Sequence, residues 1–107
     1  MFETIEEILK TLNIELGFQE YTGNADEYIV WDIPSDYDSV FVEDTSIAET
    51  FMITINYWHK SKKNIQKYKK IKELFIENGF FLNSKTTLPK SKEFYGKNFI
   101  FFKEEYK

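Results

Sequence analysis

Residues 50–58, TFMITINYW, decide the fold, and the rest of the chain is organised around them. The stretch alternates strictly, so one of its sides carries only apolar residues: Phe51, Ile53, Ile55 and Tyr57. Alternation with period 2 among β-branched and aromatic residues is typical of a half-buried strand. The stretch therefore predicts a central strand whose apolar side needs a cover.

The segment after this strand supplies that cover. Between Ser61 and Gly79 the apolar period changes to 3.6, which indicates an amphipathic helix. Its apolar stripe consists of Ile65, Tyr68, Ile71, Leu74 and Phe75. Ser61 or Asn64 can cap the first turn, and Gly79 can take the left-handed conformation that ends a helix. We expect this stripe to bury the apolar side of the central strand.

The flanking segments predict the remaining elements. Residues 2–13 have the spacing of a first helix, and residues 14–21 and 28–33 alternate like two strands that form a hairpin. Residues 80–82 and 98–106 predict two more strands. Residues 99 and 101 are apolar on one face of the last strand, and residues 100 and 102 on the other. This pattern indicates a central position or a face covered by a partner.

The element order is α-β-β-(β)-β-α-β-β, which predicts a single α+β domain over residues 1–107. We expect an antiparallel sheet of four to five strands with two helices on one face. The opposite face, with Thr54, Asn56, Tyr28 and Asp32, is expected to be exposed. Residues 34–47 predict a mobile loop or an arm, in which 40–42 can form a short strand. Residues 84–95 predict a polar connection, and residues 95–98 a turn.

Composition narrows the class of protein. The chain has 107 residues, 19% aromatics and no cysteine, so disulfides and thiolate metal sites are excluded. No apolar run approaches the roughly 20 residues of a membrane span, and the acidic N-terminus lacks the basic flank of a signal peptide. We expect a globular protein that crosses no membrane by its own signal.

Charge is unevenly distributed although the net charge is only −4. Residues 1–59 hold 13 acidic residues against one lysine, and residues 60–107 hold 13 lysines against five acidic residues. One interpretation is an ordinary solvated surface with many ion pairs. The other is a dipolar subunit whose acidic surface meets the basic surface of a neighbour.

No constellation of catalytic or metal-binding residues is evident. His59 is the only histidine and ends the central strand, which favours a structural role. Asp36, Asp38, Glu43 and Asp44 crowd one segment but lack the glycine and closing glutamate of a calcium loop. No phosphate-binding glycine motif is present. We therefore predict no enzymatic activity, no cofactor and no metal.

Seven lysines cluster around the start of the second helix: Lys60, Lys62, Lys63, Lys67, Lys69, Lys70 and Lys72. A helix start attracts anions, so contact with a phosphate backbone is conceivable. The acidic net charge and the absence of arginine argue against specific nucleic-acid recognition. A solvated helix face or a surface for an acidic neighbour is favoured.

Several stretches together carry a family resemblance: IEEILKTL (5–12), FQEYTG (18–23), EYIVW (27–31), FMITINYW (51–58), IKELF (71–75), GF (79–80) and YGKNFIFF (95–102). Their order and texture resemble the small tail terminator or tail completion proteins of long-tailed phages and prophages. The resemblance implies a non-enzymatic virion protein, assembled in the host cytoplasm. Such proteins form a ring, commonly a hexamer, that caps the tail tube and contacts neck proteins to join tail and head.

The resemblance and the charge distribution together predict a head-to-tail subunit interface. Its acidic side would be Asp36, Asp38, Glu43 and Asp44, and its basic side Lys62, Lys63, Lys67 and Lys70. Two alternatives stay open. One is another phage neck or minor capsid component, and the other is a small binding module that recognises an anionic partner through residues 60–72.

Overall fold

A long hairpin runs through the whole molecule, which the computed structural model describes over all residues, Met1–Lys107. Its strands, β2 (Glu27–Val42) and β3 (Thr45–His59), have 16 and 15 residues, about three times the usual strand length of 5–6 residues. At about 3.4 Å per residue, 16 residues span roughly the full 53 Å of the longest axis. The other two axes measure 25 and 24 Å.

The other elements add to this hairpin in chain order. They are α1 (Phe2–Lys10), β1 (Glu15–Phe18), a 3-10 turn (Lys62–Ile65), α2 (Gln66–Glu77), β4 (Phe81–Ser91) and β5 (Phe94–Tyr106). The strands form one five-stranded sheet in the order β1-β2-β3-β5-β4. The predicted single α+β domain is confirmed, with a mixed sheet that is mostly antiparallel.

The two helices cover one face of the sheet and enclose the core. Ile53 and Ile55 of β3 lie beside Phe101 and Phe99 of β5, and all four are fully buried. The rest of the core comprises Ile5, Ile8, Leu9, Leu12, Ile14, Ile29, Trp31, Tyr57, Ile71, Phe75 and Phe80. The expected packing of α2 on the central strand is therefore confirmed. Burial of these side chains is the main stabilising contribution to the fold.

The limits of α2 agree with the sequence, with one correction. Ser61 Oγ accepts a hydrogen bond from the Lys63 amide at the start of the 3-10 turn, and Gly79 has φ +86° after the helix. Ile65 was expected in the buried stripe but is 54% exposed. The 3-10 turn explains this, because its tighter winding rotates Ile65 off the face that α2 presents to the sheet.

The predicted hairpin between the first two strands is wrong. β1 pairs with β2 in parallel, with Leu16 beside Ile29 and Phe18 beside Trp31. Parallel strands usually need a long crossover, but β1 has only four residues. The chain must therefore return by only about 13 Å, which residues 19–26 can span without a helix.

Three further expectations about connections are corrected. Of the two forms expected for residues 34–47, a mobile loop or an arm, the loop is wrong: they continue β2, turn at Glu43 and Asp44, and begin β3 as an extended arm. Residues 84–95 are not a polar connection either, since β4 reaches Ser91, and residues 95–98 lie within β5 rather than in a turn. Each stretch is polar, but each has a neighbouring strand to pair with, and that pairing overrides weak local propensity.

Candidate assembly surfaces

The end of the β2–β3 hairpin projects beyond the helices as an arm, defined here as residues 35–51. The side chains of its β2 half, residues 35–42, are mostly exposed, whereas its β3 half contains the buried Ala48 and Thr50 and is flanked by β5 as far as Tyr106. A register shift between Asp32 and Ser35 marks its base, where Pro34 lacks an amide hydrogen to donate. The predicted acidic residues all lie on this arm.

The acidic residues of the arm are not equivalent. Asp38 accepts a hydrogen bond from Lys107 Nζ at 2.7 Å, and this contact lowers the pKa of Asp38. Asp36 has no such cation. It lies beside Glu49, and their shared hydrogen bond and like charge raise the pKa of Glu49. Glu43 and Asp44 are exposed at the turn, with φ of 52° and 65°.

The tip of the arm is apolar as well as acidic. Val40, Phe41 and Val42 precede the turn and are 39%, 61% and 54% exposed. Scattered apolar residues are normal on a surface, but here Phe41 and Val42 point to opposite faces, so the protruding tip exposes apolar side chains on both faces. Such a tip is suited to burial against a partner.

The predicted basic residues lie at the other end of the molecule, beyond the end of β3. Lys62 and Lys63 are exposed in the 3-10 turn, and Lys70 is exposed on α2. Lys67 differs, because its Nζ lies 2.5 Å from Glu27 Oε2 within the same chain. The structure therefore separates the acidic and basic sets along the long axis, and it leaves three of the four lysines without an ion-pair partner.

Glu27 is the centre of a polar network at the base of the hairpin. Its Oε2 accepts hydrogen bonds from Tyr57 Oη, from Asn64 Nδ2 at 3.3 Å and from Lys67 Nζ. Burial opposes ionisation of Glu27, but the hydrogen bonds from Lys67 and Tyr57 outweigh it and lower the pKa of this carboxyl. The network holds α2 against the sheet.

His59 sits beside this network, fully buried at the end of β3. Its Nδ1 lies 2.8 Å from the Ser61 carbonyl oxygen, which can only accept, so Nδ1 carries the hydrogen. Its Nε2 then accepts from Tyr68 Oη at 2.6 Å. Burial lowers the pKa of His59. Both nitrogens have partners, which is the structural role that the sequence indicates.

The helix-free face of the sheet is more apolar than expected. Thr54, Asn56, Tyr28 and Asp32 lie there but are half-buried rather than exposed. They share the face with Tyr37, Met52, Trp58, Phe81, Ile100 and Phe102. Phe81 stacks on Phe102 with ring centroids 5.8 Å apart, and with Tyr37 they line an open depression of about 320 Å³. The sequence indicated this surface through Ile100 and Phe102, which make the second side of β5 apolar.

Two sheet edges are also open, and the sequence did not identify them. β4 is the outermost strand on one side. On the other side, β1 pairs only with Tyr28–Trp31, so β2 has no outer neighbour from Ser35 onward. Unpaired strand edges present rows of N–H and C=O groups that can pair with another chain.

The structure contains no evident metal site and no helix suited to crossing a membrane. No group of three or more His, Cys, Asp or Glu side chains is placed to hold a metal ion. No helix is long and apolar enough to cross a membrane. No protein-family model matches the chain, and comparison with curated proteins gives no match. The surfaces described above are therefore the main evidence on function.

Proposed function

We propose that this chain is a non-enzymatic structural protein of a long-tailed phage or prophage. In this proposal it is a tail terminator or tail completion factor that forms a ring on the end of the tail tube and joins tail to head. The proposal starts from the resemblance carried by residues 5–12, 51–58 and 95–102. One structural observation supports it most, which is the arm that extends the sheet beyond its helical cover.

In an isolated subunit the arm exposes apolar side chains and an unpaired strand edge, whereas in an assembly both can be buried. It exposes Phe41 and its apolar neighbours, and it leaves one edge of β2 without a neighbour. Exposed edges and apolar patches promote association, and proteins that remain monomeric usually block them. A subunit that acts within a ring can bury the arm against the next copy or against the tube.

Charge distribution supports contact between unlike surfaces. Asp36, Glu43 and Asp44 give the arm acidic groups without cation partners, and Lys62 and Lys63 lie at the opposite end of the molecule. A surface that meets a different surface on the next copy forms a closed ring when the rotation closes. Exposed ion pairs contribute only ~0–1 kcal/mol each, so they would set orientation while apolar burial supplies affinity.

The alternative of an anion-binding module loses support from the same contacts. Lys60 pairs with Asp26 and Glu93, Lys67 with Glu27, and Lys69 with Glu73. Three of the seven clustered lysines are therefore neutralised within the chain. That leaves Lys62, Lys63, Lys70 and Lys72 without an ion-pair partner, and the net charge of −4 opposes binding to a phosphate backbone.

Capping of tail tubes tests the proposed function. Purified protein is added to tail tubes from the phage or prophage that encodes it, and the tube ends are imaged by negative stain at low and high salt. We expect a ring on one end of each tube, with weaker capping at high salt. If the native protein caps no tube under either condition, the proposed function is wrong.

Charge variants sharpen this test. Lys62→Glu with Lys63→Glu should weaken capping, and added Glu43→Lys with Asp44→Lys, at the exposed turn of the arm, should partly restore it. Lys10→Glu is the control, since Lys10 is exposed on α1, away from the basic turn, and its only ion-pair partner is the partly exposed Glu6. Equal capping by all three variants would exclude charge pairing between these surfaces. Lys67 is left unchanged because its reversal would break the internal pair with Glu27.

A further inference from the structure

We propose that neighbouring copies of this chain join edge to edge, with β4 of one copy paired to residues 35–42 of β2 in the next. The sheet would then continue from subunit to subunit. This inference deepens the proposed function by naming the contact between copies, and it rests on that function only for the closure of the contacts into a ring.

Both edges are free and comparable in length. β4 has 11 residues and borders only β5. The outer edge of β2 is covered by β1 at Tyr28–Trp31 and is open from Ser35 to Val42. An extended segment that adds to a sheet edge gains main-chain hydrogen bonds. Pro89 in β4 has no amide hydrogen and Val40 in the arm has φ 52°, so the extended parts of the two edges are residues 84–88 and 35–39. Each edge can thus serve as the partner of the other.

The charges on the two edges are opposite. β4 carries Lys85 and Lys90 and no acidic residue, whereas residues 35–42 carry Asp36 and Asp38 and no basic residue. Asp38 already pairs with Lys107, so Asp36 is the free acidic group of this edge. Charges of opposite sign at facing positions of adjacent strands stabilise the pair. The composition of the edges therefore favours β4 against the arm.

These four charges also lie on the same face of the sheet. Asp36 is the cross-strand neighbour of Phe51, and Lys85 of Phe99, both on the helix-bearing side. Asp38 is two residues from Asp36 in the same strand and shares its side. Lys90 Nζ lies 5.0 Å from the ring centre of Tyr95, which pairs with the buried His59 on that side. A joined sheet would bring the lysines and aspartates together.

Like-with-like pairing is disfavoured at both edges. Two β4 strands would place lysines opposite lysines, and two arms would place aspartates opposite aspartates. Like charges that face each other across strands are destabilising. The contact is therefore between unlike edges, which is the arrangement that forms rings or open chains rather than two-fold dimers.

Strand direction agrees with this contact. β2, β3, β5 and β4 alternate in direction, so β4 and β2 run in opposite directions within one subunit. When the next copy follows in the same orientation, its arm lies antiparallel to β4. The arm lies beyond the level of β4, because Phe81 at the start of β4 aligns with Ser35 through Phe102 and Met52, so neighbours must be offset along the strands. A tilt of about 35–45°, usual in closed sheets, shifts a strand by roughly 13–19 Å over four strand spacings of ~4.8 Å, which brings part of the arm beside β4.

Cysteine cross-linking tests the contact directly, because the chain has no cysteine of its own. Single-cysteine variants are made at helix-free-face positions of each edge: Ser35, Tyr37 and Ser39 in the arm, and Ser84, Thr86 and Leu88 in β4. Each arm variant is mixed with each β4 variant under mild oxidation. A disulfide needs Cα atoms about 4.4–6.8 Å apart, so only neighbouring strands react.

We expect at least one mixture to yield about tenfold more heterodimer than homodimer, a preference of ~1.4 kcal/mol. The control mixture replaces the β4 variant with Glu73→Cys, an exposed site on α2. If every mixture yields no more heterodimer than the control, or if homodimers of the β4 variants dominate, the edge contact is wrong.

Charge reversal checks the reason for the pairing. Lys85→Glu with Lys90→Glu in the β4 partner should reduce cross-linking about tenfold, and Asp36→Lys in the arm partner should partly restore it. Asp38 is left unchanged because its reversal would break the internal pair with Lys107. Urea denaturation of each variant verifies that it folds. If the yield of cross-linked heterodimer is unchanged by both charge reversals, pairing by charge is wrong.

Failure of this inference is distinguishable from failure of the proposed function. Rings on tail tubes without any cross-link between the edges would overturn the edge contact alone. Cross-linked rings or chains that never cap a tube would support the edge contact and overturn the tail-terminator assignment.

Discussion

Lys67 Nζ on α2 lies 2.5 Å from Oε2 of Glu27, the first residue of β2 and 40 positions away in the chain. Tyr57 of β3 donates to the same oxygen, so one carboxylate joins the helix to two strands. This junction lies at the base of the hairpin, opposite the arm. Polar contacts therefore fix α2 to the base of the sheet, whereas no helix covers the arm at the other end.

Removal of the Lys67 ammonium should lower stability modestly. In Lys67→Met, the Glu27 carboxylate keeps hydrogen bonds from Tyr57 and Asn64 but loses its counterion. We expect a loss of about 1 kcal/mol in the free energy of unfolding, because the lysine is partly exposed and solvent screens the pair. Lys70→Met is the matched control and should leave stability unchanged in urea denaturation. Equal values for both variants would show that the Glu27 pair contributes nothing.

His59 should make stability depend on pH. Burial lowers its pKa in the folded protein below the ordinary value of 6.5, so the unfolded chain binds more protons between the two values. Its contribution is fully present above about pH 6.5 and is lost as pH falls toward the folded-state pKa. Urea midpoints between about pH 7 and pH 5 should therefore decrease for the native protein. His59→Gln should have a flatter profile over this range; a profile parallel to the native one would contradict the assignment.

Ile55 tests the packing of the core. It is fully buried between β2 and β5 under the helices, so Ile55→Ala should cost about 2–5 kcal/mol through lost transfer energy and a cavity. Thr54→Ala, the neighbouring change on the helix-free face, should cost less than ~1 kcal/mol. Chemical denaturation measures both. A loss for Ile55→Ala as small as that for Thr54→Ala would mean that the strand faces the other way.

Phe41 separates assembly from stability. It is 61% exposed at the arm tip, so Phe41→Ser should change the free energy of unfolding by no more than ~0.5 kcal/mol. The same change should strongly reduce tube capping if the tip is buried against a partner. Ile76→Ser, at an apolar residue 45% exposed on α2, is the control and should cap normally. Normal capping by Phe41→Ser would exclude the tip from the contact.

Hydrogen exchange should reveal a loosely held arm in the free subunit. Amides of residues 35–42 have no helix above them and no outer strand beside them, unlike those of Ile53 and Ile55. We expect faster exchange in the arm and slower exchange there after assembly. Protection of the arm equal to that of the β3 centre in the free protein would contradict this prediction.

Local pattern determined most of the secondary structure and one side of the core. The period-2 stretch at residues 50–58 and the 3.6 period after Ser61 correctly placed β3 on α2, because burial requires apolar side chains at these spacings. The same reasoning failed where a segment's neighbour decides its state. Residues 84–91 are polar enough for a loop, but pairing with β5 makes them an edge strand.

The sequence by itself determined the α+β class, the apolar sides of Ile55 and Phe99, and the uneven charge of the two halves. Only the tertiary structure decided that β1 runs parallel to β2, that residues 34–47 form a paired arm rather than a mobile loop, and that Lys67 forms an ion pair with Glu27. The reason is that periodicity reports which side of an element is buried. Strand partners, open edges and long-range ion pairs depend on residues far apart in the chain, which come together only in the folded sheet.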